Sequence, residues 1–114
     1  MRRRIWLSYD LGLNGNYAGL YQFLDNIQAV EIGNSAASFM YETRAQNDEE
    51  LIDILKNELI EHIGNTKNAR IYIIRAEKED GNIIGVKGSV LLGKRKSNPW
   101  KGYGDVGDTE DEED

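Results

Sequence analysis

The sequence predicts an α+β fold, with two helices on one face of a small antiparallel sheet. Three observations carry this. The chain opens on a strand of strict period two, Arg4-Ile5-Trp6-Leu7-Ser8-Tyr9-Asp10. Two stretches have helical spacing, and each lies between strand-like runs. Turn residues divide the chain into the order strand, helix, strand, strand, helix, strand, strand.

In the first strand, Ile5, Leu7 and Tyr9 share one face; Arg4, Trp6, Ser8 and Asp10 share the other. Asp10 stands where the strand gives way to the loop Leu11–Asn16. Asn16 is placed to cap a helix running to about Ile27, with Tyr17, Leu20, Tyr21, Leu24 and Ile27 as its apolar stripe. Gly19 inside it costs about 1 kcal/mol against alanine and is expected to allow close contact with the sheet. Gln28–Ile32 and Ala36–Glu42 form a hairpin around Gly33-Asn34-Ser35. Ala37, Phe39 and Tyr41 alternate there with Ser38, Met40 and Glu42.

Asn47 and Glu50 resemble a capping box for a helix from Asp48 to Ile63, ended by Gly64. Leu51, Ile52, Leu55, Leu59 and Ile63 are its stripe. Its acids crowd the first turn, which suits the helix dipole. Ala69–Ala76 is the most strand-like run, and Asp80-Gly81 is a tight-hairpin pair. Ile83–Leu92 continues as a glycine-interrupted strand, bent or bulged. Two crossovers around a hairpin specify the split βαβ, or ferredoxin-like, sandwich, in which the fifth strand is surplus. It either extends the sheet or pairs with a second copy.

At 114 residues, 39% of them hydrophobic, residues 1–104 read as one domain. Without cysteine there are no disulfides or thiolate metal sites. Met1–Arg4 is basic like the start of a signal peptide, but strand alternation follows it. No apolar run approaches the length that spans a bilayer, and a cytoplasmic protein is expected. The net charge of −6 is uneven: residues 105–114 hold seven of the twenty acids and no base. The remainder has fourteen bases against thirteen acids. The tail reads as disordered. Its role is either solubilising or autoinhibitory, by folding onto nearby bases.

Several residues are candidates for function. Trp6 and Met40 point away from the helices, an apolar patch of the kind that marks an interface. A twofold homodimer is one way to cover it; the other is the segment with Trp100 and Tyr103 folding back. Arg2, Arg3 and Arg4, and Lys94, Arg95 and Lys96 with Lys101, are the dense basic clusters. Trp100 is placed to stack on bases. The same residues also read as a solvated edge with packing anchors. Asp10 is either a catalytic metal ligand or a turn cap. The spacing of Gly12, Gly15 and Gly19 fits no phosphate-loop pattern. His62, the only histidine, has no partner in sequence and reads as structural or solvent-facing.

The strand ending Ser8-Tyr9-Asp10, the hairpin with Gly33-Asn34-Ser35-Ala36, and the strand ending Tyr41-Glu42 resemble a known family. It is the small CRISPR-associated subunit of the spacer-integration complex, with its relatives, the VapD-type toxin ribonucleases. The resemblance implies a homodimer associated with nucleic acid, and in some members metal-dependent phosphodiester cleavage. A magnesium ion would then lie between Asp10 of one chain and Asp10 of the other, with Ser35 accessory. Against a large duplex footprint, Asn16–Gln28 holds Asp25 as its one charge. Two further readings stand beside this one. One is a non-catalytic protein-interaction or regulatory module of the phage or mobile-element accessory type. The other is a small-molecule sensor, by fold analogy.

Overall fold

The computed structural model describes residues 1–79, 81–94 and 98–105. The order is β1 (Arg2–Asp10), α1 (Tyr17–Asn26), β2 (Val30–Gly33), β3 (Ala36–Glu42), α2 (Asp48–Ile63), β4 (Arg70–Glu79) and β5 (Asn82–Leu92). The five strands form one antiparallel sheet in the order β2-β3-β1-β4-β5. Each helix joins two strands that are separated in the sheet by a third. Among the described residues, no helix is long and apolar enough to cross a membrane.

Alternation decides what the sheet buries. Ile5 and Leu7 of β1, Phe39 and Tyr41 of β3, and Ile71 and Ile73 of β4 enter one core cluster with Leu20 and Phe23 of α1 and Leu51, Leu55, Leu59 and Ile63 of α2. The helices therefore cover this inward face. Arg4, Trp6, Ser38, Met40, Tyr72 and Ile74 have the opposite parity and face outward.

α2 has the bounds its caps predict. Asn47 Oδ1 accepts from Glu50 N–H at 2.8 Å, and Gly64, at φ +77°, closes the far end. The return bond of the box is displaced by one residue: Glu50 Oε1 accepts from Gln46 N–H at 2.6 Å. His62 is half-buried, its ring edge-on to Phe23 at 5.5 Å.

α1 keeps most of its predicted stripe, with Leu20 in the core and Tyr17, Leu24 and Ile27 packed against it, and departs at Tyr21. Its buried residues are Gly19, Leu20 and Phe23, while Tyr21 is 52% exposed. The cause is the crossing with α2. A Cβ on Gly19 would lie 2.1 Å from the His62 carbonyl oxygen, so glycine serves a helix–helix contact, not the expected contact with the sheet. Asn16 completes this corner. Its Oδ1 accepts from Gly19 N–H at 2.9 Å, and its Nδ2 donates to the carbonyls of His62 at 3.3 Å and Ile63 at 3.2 Å. One side chain thus serves the orphan donors of one helix start and the orphan acceptors of one helix end.

β4 and β5 run longer than predicted. Pairing of β1 with β4 ends at Ile5–Arg75, yet the β4–β5 ladder continues to Glu79–Asn82. The two-stranded arm beyond the sheet leaves Ile83, Ile84 and Val86 60–65% exposed. Register shifts at Ile71/Tyr72 and Glu77/Lys78 provide the expected irregularity.

Candidate interaction surface

The outward face is built from side chains that cross-strand register brings together. Trp6, half-buried, lies opposite Ser38 on one side and Ile74 on the other. Ser8 lies opposite Tyr72, which in turn faces Val90. Met40 lies opposite Arg4. Ile74 faces Gly88, which has no side chain to cover it, and stays 45% exposed. The result is an open groove of about 870 Å³, with Tyr72, Ile74 and Val90 along it and Arg70, Pro99 and Trp100 at its rim. A Cβ on Gly88 would meet nothing closer than 3.8 Å, so glycine leaves the groove open without being required by the backbone.

Of the two ways to cover this face, the C-terminal segment takes a partial share. Asn98, Pro99 and Trp100 border the groove over β4 and β5, yet Trp100 remains 68% exposed and Tyr103 86%. Tyr72, Ile74 and Val90 had not been singled out from sequence. Their signal was the alternation of Arg-Ile-Tyr-Ile-Ile-Arg, which sends Tyr72 and Ile74 to the face opposite Ile71 and Ile73.

Among the described residues, Arg2, Arg3 and Arg4 do not share one face. Alternation sends Arg3 inward, where its Nε pairs with Asp48 Oδ1 at 3.1 Å. Arg2 is exposed, and Arg4 is half-buried with Nη1 3.4 Å from Ser38 Oγ. Lys94 is exposed just after β5. Arg95 and Lys96, with residues 106–114 of the acidic tail, lie outside the described residues.

Asp10 occupies both of its carboxylate oxygens. Oδ1 accepts from Gly12 N–H at 3.0 Å, closing the turn in which Gly12 has φ +79°. Oδ2 accepts from Arg70 Nη2 at 2.9 Å. Among the described residues, no three His, Asp or Glu side chains converge as metal ligands. The donor set around Asp10 therefore does not fit a magnesium ion: a cation there would have to displace the Arg70 guanidinium. Ser35, in the β2–β3 turn at φ +57°, is exposed.

The inward face holds an ion cluster at the start of α2. Arg75, 7% exposed at its side chain, places Nη1 3.1 Å from Asp48 Oδ2, an ion pair without the alignment of a hydrogen bond. Asp48 thereby bridges Arg3 and Arg75. Farther along, the Tyr41 hydroxyl donates to Glu58 Oε1 at 2.5 Å; burial first, then this carboxylate, hold the Tyr41 phenol well above the usual tyrosine range.

Comparison with family models, curated proteins and solved structures returned no match. The outer sheet face stands on its own geometry.

Proposed function

We propose that this chain is a non-catalytic interaction module that assembles as a twofold homodimer through the outer face of its sheet, on a ferredoxin-like scaffold. The strand order β2-β3-β1-β4 and the two helical crossovers support the scaffold. One observation carries the assembly: Trp6, Ile74, Tyr72 and Val90 form a connected apolar row that the described residues of the C-terminal segment do not close. Connected apolar patches of this kind mark interfaces, and a twofold contact needs a surface that complements itself. The exposed Ile83, Ile84 and Val86 of the arm extend the apolar area available to the same partner. A cytoplasmic setting belongs to the same proposal. Cleavage through Asp10 does not, because turn and ion pair occupy its carboxylate.

A second reading has its own observation. Arg4 and Arg70 stand on the same strands as Trp6 and Tyr72, with Trp100 at the groove rim. Aromatic platforms flanked by guanidinium groups suit a single nucleic-acid strand, in keeping with the family resemblance.

Sedimentation of the full chain tests both readings. The proposal expects a dimer at micromolar concentration, and a monomer with native circular dichroism for Ile74→Lys. A monomer at every concentration overturns it. If that monomer shifts a single-stranded oligonucleotide and loses the shift in Trp100→Ala, the second reading takes its place.

A further inference from the structure

Between α1 and the β2–β3 hairpin lies a smaller concavity of about 270 Å³. Tyr9 and Tyr21 form its aromatic wall, their rings T-shaped with centroids 6.2 Å apart. Tyr17 backs the pair at 6.3 and 6.0 Å. Tyr21 is 52% exposed, so part of its ring is open to solvent. Asp25 and Glu31 also line it, both exposed. Neither carboxylate is hydrogen-bonded or ion-paired through its side chain among the described residues. Ala29, Ala36 and Ala37, with small side chains, also line it.

The charge around it is one-sided. Residues 11–43 contain no Lys, Arg or His. The cation nearest to Tyr9 along β1 and β4 is Arg70, which is committed to Asp10. Burial first, then a hydrogen bond with Tyr21 and the negative charge of Glu31, push the Tyr9 phenol up to about 12. The Tyr9 hydroxyl is thus engaged with Tyr21, and Tyr9 lines the pocket.

We propose that this pocket binds an alkylammonium group, held between the tyrosine rings and the Asp25 and Glu31 carboxylates. Ring faces attract cations through their quadrupole, and organic cations more readily than hydrated metal ions that must shed water to reach a ring. Two carboxylates supply the charge, but too few oxygen ligands for a calcium-type cage. The volume fits one cationic head group and a short stem. That cation is either a free amine or a lysine side chain on a peptide.

The test is a titration of the isotope-labelled full chain, followed by amide chemical shifts. The probes are n-butylammonium chloride, N-acetyl-lysine-methylamide, n-butanol and magnesium chloride. Saturable shifts at Tyr9, Tyr21 and Glu31 are expected with both ammonium probes. The tighter of the two assigns the source, free amine or peptide-borne lysine. The Asp25→Asn, Glu31→Gln double variant should lose affinity roughly tenfold, as two exposed charge pairs allow, and Tyr21→Leu should lose binding with its ring. These positions are exposed, so the folded spectrum is retained and serves as the control. Equal shifts with n-butanol, competition by magnesium, or affinity unchanged in the double variant would overturn the proposal.

Discussion

Removing the Asp48 carboxylate is expected to unfold the inward face from one corner. Asp48 is the shared partner of Arg3, at 3.1 Å from Nε, and Arg75, at 3.1 Å from Nη1. In Asp48→Ala the Arg75 guanidinium, 7% exposed, keeps one distant carboxylate, Glu77 at 3.9 Å. Breaking a buried pair from one side costs about 3–5 kcal/mol, because the remaining charge stays desolvated. Asp48 itself is 29% exposed, so water can reach the gap, and the lower end of that range, about 3 kcal/mol, applies. That is a large share of the ~5–15 kcal/mol that holds a domain of this size. Urea unfolding followed by circular dichroism reads it as a lower midpoint at constant slope. Arg70→Ala is the control, since it cuts an exposed pair and keeps the Asp10 turn bond. The Asp10–Arg70 pair is as short, 2.9 Å, but 32% and 56% exposed, and is worth at most about 1 kcal/mol. Adding Arg75→Leu to Asp48→Ala should recover most of the loss, since the stranded charge goes with it. A loss under about 1 kcal/mol for Asp48→Ala, or no recovery in the double variant, would refute the reasoning.

Gly19→Ala should destabilise by about 2–3 kcal/mol in the same assay, despite alanine's higher helix propensity, because its Cβ meets a carbonyl oxygen of α2; a gain in stability would show that the helices can part freely. Gly88→Val should add up to about 1 kcal/mol to the monomer, since glycine is a poor strand residue and the site is open. The same change fills the groove and should weaken the dimer in sedimentation. Alkaline titration should show two late tyrosines, Tyr41 and, ahead of it, Tyr9. Its folded value, about 12, lies above the ordinary 10.0, so the folded state holds the proton more tightly. The stability this contributes is complete below pH 10, and it is lost as pH rises through 12. Tyr9→Phe should flatten that fall, and Glu31→Gln should bring the Tyr9 tyrosinate absorbance to lower pH.

The parts of the fold legible in sequence were those with local signals. β3 and α2 have the predicted bounds, because Asn47, Glu50 and Gly64 punctuate the chain and Ala37, Phe39 and Tyr41 keep period two. β2 begins at Val30, two residues later than expected, since Gln28 takes φ +57° at the end of α1. The face of α1 was legible at Tyr17, Leu20, Leu24 and Ile27 but not at Phe23, which at 1% exposure is buried where Tyr21 is not, because α2 crosses at Gly19, a contact with residues about forty positions away. Arg3 belonged to an apparent basic cluster until strand parity divided it from Arg2 and Arg4. Asp10 carried its turn reading openly, but its partner Arg70 stands sixty residues on. Periodicity tells which way a side chain faces; register between strands decides whom it meets, and no single segment contains that information.

Asn16 has a consequence for motion. Because one amide latches the entry of α1 to the exit of α2, neither terminus can fray without stranding backbone groups of the other. Amide hydrogens in the first turn of α1 and the last turn of α2 should therefore exchange with solvent through one shared opening event, slower than the arm of β4 and β5. Asn16→Ala would split that event in two, letting each helix end breathe at its own rate while the sheet beneath stays closed.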